Sequence, residues 1–218
     1  MKLLTALLLV PAVAAPVWAT SITAIYGGGN PDAGWTTATS GELQLGLRAK
    51  DRTTGATANV DGTYSFATAP APRGLWNYEF SINSDVNSAN GTTSLAASPY
   101  DFYLTVDQDP SQGFSGVTVN PLNYWFDNSF GNNSTANGAG VEGLALFLAP
   151  GNNLVQNSQN ITFAGYPGGA EVLSPNATYS YELFAVAKGA GADGARVAEV
   201  GINVVIGAGG VAVPRAGA

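Results

Sequence analysis

The 218-residue chain contains no cysteine and no histidine, and only 11% of its residues are charged. This composition excludes disulfide bonds, cysteine metal sites and Ser/His/Asp catalysis. The formal net charge of −7 argues against nucleic acid or an anionic membrane surface as a partner. The 28 glycines and 12 prolines favour frequent turns over long helices, which is typical of an all-β protein.

The first 19 residues have the pattern of an export signal. Lys2 supplies a positive charge, residues 3–15 are largely apolar, and Val17 and Ala19 place small residues at the −3 and −1 positions. Prolines interrupt the apolar run, which is also shorter than the ~20 apolar residues that a membrane-spanning helix needs. We therefore predict that residues 1–19 are removed, and that the mature protein is secreted and has no membrane span.

Alternating apolar residues predict most of the strands that follow the signal. Three inward-facing sets are clear in chain order: Leu43, Leu45, Leu47 and Ala49; Trp76, Tyr78, Phe80 and Ile82; and Phe102, Leu104 and Val106. The polar side chains between them, including Arg48, Lys50 and Glu79, are predicted to face solvent. Asp61-Gly62, between residues 56–60 and 63–67, favours a type I′ hairpin.

Three further segments lie between these strands and the end of the chain. Residues 21–26 are predicted to form a short strand, and residues 123–140 a long loop with a short strand at its head. Residues 144–149 are apolar at every position, which is typical of a central, buried strand.

The end of the chain holds the two longest strand candidates. Residues 179–187 are followed by a Gly-rich connection, residues 189–194, which is long enough to return the chain antiparallel. In the final strand one face is formed by Ala198, Val200, Ile202, Val204 and Ile206. Together the segments predict a single-domain antiparallel β-sandwich of the jelly-roll or immunoglobulin-like type. We expect about ten to twelve strands over residues 20–214, followed by a C-terminal tail at 215–218.

The C-terminal half also resembles a known family. An Asn-Ser-Gln-Asn motif lies in a short strand at residues 155–161, and Pro175-Asn176-Ala177-Thr178-Tyr179 opens the long strand that precedes the Gly-rich turn. With the signal peptide and Val213-Pro214, this pattern resembles the exported PEP-CTERM proteins of Gram-negative bacteria. In that family Val-Pro-Glu-Pro, an apolar helix and a basic tail follow, and exosortase recognises and removes them. Here Val213-Pro214 is followed by residues 215–218, so the sorting segment is expected to be missing or degenerate.

The resemblance implies an exported β-sandwich associated with the cell surface or the exopolysaccharide matrix of a biofilm. We therefore expect a non-enzymatic, structural or adhesive role without a cofactor, with extracellular polysaccharide or other surface proteins as partners. Two alternatives stay open. One is a carbohydrate-binding module that uses exposed aromatic side chains. The other is a glycan hydrolase or lyase, which needs two carboxylates about 5–9.5 Å apart in a cleft, whereas the glutamates here are each isolated in the sequence.

A calcium site is one candidate for a binding site. Asp107 and Asp109, with Asp101 or Asp127, carry the oxygen ligands that Ca²⁺ prefers. Their spacing lacks the longer pattern of a dedicated calcium loop, so the alternative is a plain Asp-rich turn before Pro110.

An aromatic platform for sugar rings is the other candidate. Its members are Trp35, Tyr124 and Trp125, of which the last two lie in an Asn-rich segment predicted to be an exposed loop. Aromatic side chains on a surface offer flat apolar faces together with a polar edge. Trp76 lies on the inward face of a strand and is predicted to belong to the core instead.

Overall fold

The computed structural model describes residues 19–67, 74–88, 93–171 and 174–208. The predicted signal peptide up to residue 18, Val213-Pro214 and the C-terminal tail lie outside the described residues. The strands of the described chain are β1 (Ala19–Thr20), β2 (Trp35–Ser40), β3 (Leu43–Asp51), β4 (Asn59–Val60), β5 (Thr63–Phe66), β6 (Trp76–Asn83), β7 (Tyr100–Asp107), β8 (Gly116–Val119), β9 (Ser129–Gly131), β10 (Val141–Glu142), β11 (Leu154–Gln159), β12 (Ala177–Ala187) and β13 (Arg196–Ile206). Its helices are α1 (Pro121–Tyr124) and two 3₁₀ segments, Leu95–Ala97 and Leu144–Leu148.

The strands form two sheets. The seven-stranded sheet has the order β1-β2-β3-β6-β11-β9-β10, and all its neighbouring strands are antiparallel. The six-stranded sheet has the order β4-β5-β13-β12-β7-β8. In this sheet β5 runs parallel to β13, and the other neighbouring strands are antiparallel.

Residues from both sheets meet in one apolar cluster. The inward-facing sets predicted around Leu45, Phe80 and Leu104 are all buried in it, as is Trp76, which is 1% exposed. Two layers around a shared core confirm the predicted β-sandwich. Ten of its strands have three or more residues, and β1, β4 and β10 have two each.

β12 and β13 form the predicted terminal hairpin. They pair antiparallel, with Ile202 opposite Tyr181 and Val204 opposite Tyr179. Ile202 and Val204 are buried, whereas Glu199 on the opposite face is exposed. Both the pairing and the facing of the final strand were therefore predicted correctly from its period-2 alternation.

The turn at Asp61-Gly62 joins β4 to β5 as predicted. The φ angles of Asp61 and Gly62 are 49° and 77°. Two positive φ angles are what a type I′ turn requires, and glycine adopts the second one without steric cost. The Asn203 N–H donates to the Gly62 carbonyl at 2.9 Å, which ties this hairpin to β13.

Three predicted strands are wrong. Residues 21–26 form no strand, and α1 stands where a strand was expected at the head of the loop 123–140. Leu144–Leu148 is a 3₁₀ helix that contains no buried residue, and Leu148 is 70% exposed. A short apolar run has no period by which a strand can be told from a helix. The helices of the described residues are short, and none could span a membrane.

The outer face of the seven-stranded sheet also differs from the prediction. Arg48, Lys50 and Glu79 were expected to face solvent, but they are 0%, 7% and 0% exposed. Residues 21–34, which we call the covering segment, lie over them. Arg48 Nη1 donates to the Pro31 carbonyl in that segment at 2.6 Å. The alternation of apolar and polar residues correctly placed these side chains on the face opposite the core. It carries no information about a segment that packs on this outer face.

The covering segment is held by both polar and apolar contacts. The Ile25 N–H donates to Oε1 of Gln156 on β11 at 2.8 Å. Ala24, Tyr26 and Trp35 form a second buried apolar cluster on this side of the sheet. The outer face beneath the covering segment is thus a packed layer of the protein.

Candidate functional site

An open depression of ≈ 420 Å³ lies where α1 ends. Its lining combines aromatic rings with a carboxylate and an amide: Tyr124, Trp125, Phe126, Asp127, Gln159, Phe163 and Gly165. We call it the aromatic depression. Its walls are formed by the end of α1 and the residues that follow it, by the end of β11, and by the turns after β11.

Local sequence fixes the wall of the depression. Asn120 caps α1 by accepting the Leu122 N–H at 3.0 Å, and Pro121 suits the first helical turn, where no N–H is needed. After this single turn the chain extends at Trp125. The indole Nε1 of Trp125 donates to the Gly165 carbonyl at 3.1 Å. This hydrogen bond connects the segment after α1 to the turns after β11.

Trp125 therefore anchors its two neighbours at the surface. It is 5% exposed and packs on Phe80 of the core, with the ring centres 5.7 Å apart. Tyr124 and Phe126 are 39% and 80% exposed. The Tyr124 ring meets the Trp125 ring edge-on at 74°, so the exposed Tyr124 ring is not coplanar with the buried Trp125 ring.

Amide side chains of β11 form the polar side of the depression. Asn157 Nδ2 donates to Asp127 Oδ1 at 3.0 Å, and Gln159 Nε2 donates to Asn157 Oδ1 at 3.1 Å. Asn157 also donates to Asn128 Oδ1 at 2.8 Å. Because Asn157 and Gln159 are almost fully buried, this ladder holds the exposed Asp127 carboxylate in a defined position.

A buried phenol lies behind the same site. Among the described residues, the Tyr78 hydroxyl has no hydrogen-bond partner. Burial raises the pKa of this phenol well above its ordinary value, and Tyr124 and Asp127 are among the neighbours that raise it further. An unpaired buried hydroxyl is costly, but Tyr78 is 0% exposed and does not line the depression, so its hydroxyl is not part of the site.

The predicted aromatic platform is only partly present. Tyr124 is at the surface, but Trp125 is nearly buried, and Trp35 is fully buried beneath the Arg48 guanidinium at 4.3 Å. Trp35 therefore cannot contact a ligand together with the other two. Phe126 and Phe163 also line the depression but were not among the predicted residues; the signal for Phe126 was its place in the same Asn-rich loop.

The acidic candidates for a calcium site have other roles. Asp107 is fully buried, and its carboxylate accepts the N–H groups of Asp109, Ser115 and Ser180. Asp109 is at the surface, where hydrogen bonds from Ser111 lower its pKa. The described residues contain no group of three or more acids that could hold a metal ion. These contacts support the alternative of an Asp-rich turn.

Asp101 and Asp127 do not complete a calcium site either. Asp101 Oδ2 accepts the Gly189 N–H at 2.7 Å, whereas Asp127 binds the amides of β11 in the aromatic depression. Burial, and after it the Asp107 charge, raise the pKa of Glu171. Because Asp107 itself is inaccessible, this acid pair does not offer a substrate two facing carboxylates.

Comparison with known proteins adds one distant likeness. No protein-family model matches the chain, and no curated protein matches it. Among solved structures, the chain is similar to the N-terminal domain of PorA, with 14% sequence identity and a TM-score of 0.25. The match covers 75% of this chain and 99% of the other. A likeness this weak carries no argument about function.

Proposed function

We propose that this protein is an exported, non-enzymatic β-sandwich with a structural or adhesive role at the cell surface or in the extracellular polysaccharide matrix. In this proposal it attaches to a glycan through the aromatic depression. The observation that carries the proposal is the pairing of exposed rings, Tyr124 and Phe126, with a fixed carboxylate, Asp127, in one open surface site. The resemblance to PEP-CTERM proteins supports the location.

The chemistry of the depression suits a sugar. The exposed faces of Tyr124 and Phe126 can stack on the C–H face of a pyranose ring. The exposed Asp127 carboxylate can accept hydrogen bonds from hydroxyl groups on the edge of the ring. A mainly apolar site with a few fixed polar groups is the usual form of a small-ligand site.

Electrostatics favour a neutral glycan over an acidic one. Asp127 lines the depression, and the Arg52 guanidinium lies 5.7 Å from the ring centre of Phe163, another lining residue. The Arg52 guanidinium itself does not line the depression, so the lining carries the negative charge of Asp127. The whole chain carries a formal net charge of −7, which repels a polyanion.

Affinity electrophoresis tests the proposal. The mature protein should be retarded in gels that contain a neutral glucan, mannan or galactan, and less so in gels that contain alginate. Phe126→Ala and Tyr124→Ala should each weaken binding by about 2- to 10-fold, because each removes one stacking ring. Neither residue belongs to the core, so both variants should keep the wild-type melting temperature.

Phe114→Ala is the matched control. Phe114 is 49% exposed but does not line the depression, so this change should leave retardation unaltered. Equal loss of retardation in the control and the two site variants would show that the depression is not the binding site. Absence of retardation by every neutral polysaccharide would instead favour a structural role with a surface protein as the partner.

The predicted signal peptide can be tested separately from glycan binding. Signal peptidase should cleave between Ala19 and Thr20, because Val17 and Ala19 provide the small side chains that the enzyme requires. N-terminal sequencing of the protein recovered from outside the cytoplasm should therefore begin at Thr20. Recovery of a chain that retains Met1 would contradict export through this signal.

A further inference from the structure

The covering segment meets the seven-stranded sheet at a lysine and an asparagine. Lys50 Nζ, on the outer face of β3, contacts the side-chain oxygen Oδ1 of Asn30 directly. The same Nζ lies 2.8 Å from Oε1 of Glu79 on the neighbouring strand β6. An amine, a carboxamide and a carboxylate thus meet in one place, and Lys50 and Glu79 are 7% and 0% exposed.

Neighbouring groups fix the asparagine and the carboxylate. Asn30 Nδ2 donates to the carbonyls of Tyr26 and Gly27, both at 2.8 Å, so that its Oδ1 faces the amine. Glu79 accepts from Ser158 Oγ at 2.9 Å and from the Tyr26 hydroxyl. These hydrogen bonds therefore hold the amine, the carboxamide and the carboxylate next to one another.

The charges of the cluster are unbalanced. Burial alone would lower the pKa of Arg48, but the Glu79 carboxylate 2.5 Å from its Nε raises it above the ordinary value. Arg48 and Glu79 consequently form a complete ion pair. The ammonium of Lys50 is then a second buried cation beside one carboxylate, which is an unfavourable state in an interior of low dielectric.

We propose that Lys50 and Asn30 become joined by an intramolecular isopeptide bond, with Glu79 as the catalytic proton carrier. The Lys50 ammonium gives up two of its three protons, and its Nζ lone pair attacks Asn30 Cγ. The Nζ–Cγ bond forms, the Cγ–Nδ2 bond breaks, and both protons leave on the former Nδ2 as an ammonium ion. Glu79 accepts the first proton from Nζ and passes it on, so it ends as it began.

The product explains the arrangement of the cluster. A neutral amide replaces the second buried cation, so Arg48 and Glu79 remain as a balanced pair. The residue after Asn30 is Pro31, which has no backbone N–H, so the cyclisation to a succinimide that commonly consumes asparagine is blocked here. The bond fastens the covering segment to β3 and needs no cofactor or added reagent.

Mass spectrometry of the intact, folded mature protein tests the bond. Its mass should be lower than that of the sequence by one ammonia. Trypsin cannot cleave at an acylated lysine, so the digest should contain a branched peptide. In this branched peptide, the side chain of Asn30, in the tryptic peptide that ends at Arg48, is bonded to the side chain of Lys50 in the peptide 49–52.

Three variants give distinct signatures. Asn30→Asp should still form the bond but lose water in place of ammonia, because a carboxylic acid then supplies the acyl group. Lys50→Arg should show the full sequence mass, since a guanidinium is not acylated. Glu79→Gln should leave most of the chain unbranched. Lys188→Arg is the matched control, because Lys188 Nζ donates to the backbone carbonyls of Ala96 and Ser98, and it should retain the ammonia deficit.

A full sequence mass for the wild-type protein, with residues 49–50 released as a free tryptic peptide, would overturn the proposal. So would an ammonia deficit that persists in Lys50→Arg, because the loss would then come from another asparagine. If Glu79→Gln fails to fold, Asn30→Asp and Lys50→Arg still decide the matter. None of these outcomes depends on glycan binding.

Discussion

Replacing Ile202 with aspartate should unfold the protein or bring it close to unfolding. Ile202 is 2% exposed and lies opposite Tyr181, itself fully buried, at the centre of the longest hairpin. The new carboxylate would have to lose its hydration in an apolar interior, at a cost of several kcal/mol, or take up a proton through a strongly raised pKa. A domain of this kind has about 5–15 kcal/mol of stability in total. In urea unfolding, the midpoint concentration of the variant should be far below that of the wild-type protein.

Asn203→Asp is the matched control for that substitution. Asn203 is the next residue along β13, points to the opposite face and accepts a hydrogen bond from Ser180 Oγ at 2.8 Å. Because a carboxylate can accept the same hydrogen bond, the change should cost about 0.5 kcal/mol or less. A lower urea midpoint for Asn203→Asp than for Ile202→Asp would show that the facing of β13 is inverted.

The inward faces of the sheets were predictable because they obey a local rule. Burial on one face forces period-2 alternation, and β6 and β13 carry it without a break. The terminal hairpin was also predictable, since its Gly-rich connection leaves few alternatives to an antiparallel return. The type I′ turn at Asp61-Gly62 required only two residues whose backbone tolerates positive φ.

The burial of the outer face of the seven-stranded sheet was not predictable, because a local sequence pattern carries no information about which distant segment packs on that face. Arg48, Lys50 and Glu79 alternate with apolar residues in the same way as solvated side chains do. Their burial depends on residues 21–34, a segment without periodicity that lies remote in sequence from Glu79 and from Gln156, to which it binds. The Asn157 and Gln159 amides of the Asn-Ser-Gln-Asn motif are likewise buried, as hydrogen-bonding side chains on one face of β11.

The candidate site was predictable in position but not in composition. The Asn-rich segment after Pro121 was expected to expose its aromatic residues, and Tyr124 does lie at the surface. Which of three successive aromatic residues turns inward depends on the end of α1 and on the Gly165 carbonyl, both tertiary features. Trp125 is therefore the anchor, and Phe126 is the exposed ring.

The buried ion pair should be the most sensitive polar interaction in the described structure. Glu79→Ala should lower the stability by about 3–5 kcal/mol, because it leaves the Arg48 guanidinium buried without its counter-ion. Arg48 would keep its hydrogen bonds to the carbonyls of Pro31 and Ala33, at 2.6 and 2.8 Å. These neutral carbonyl groups offset part of the free-energy cost of desolvating the guanidinium, but they do not neutralise its positive charge. The covering segment, which packs on this cluster, should then open first and become the earliest site of proteolysis.

Glu199→Ala provides the surface comparison for Glu79→Ala. Glu199 pairs with Arg196 at 3.6 Å, and both side chains are about one-third exposed, at 34% and 31%. A pair in water gains little, so its loss should cost roughly 0–1 kcal/mol. Urea midpoints of the two variants, measured at equal pH and salt, should therefore differ severalfold in their displacement from wild type. Equal displacements would mean that water reaches Glu79 and Arg48, and that the covering segment does not seal the outer face of the sheet.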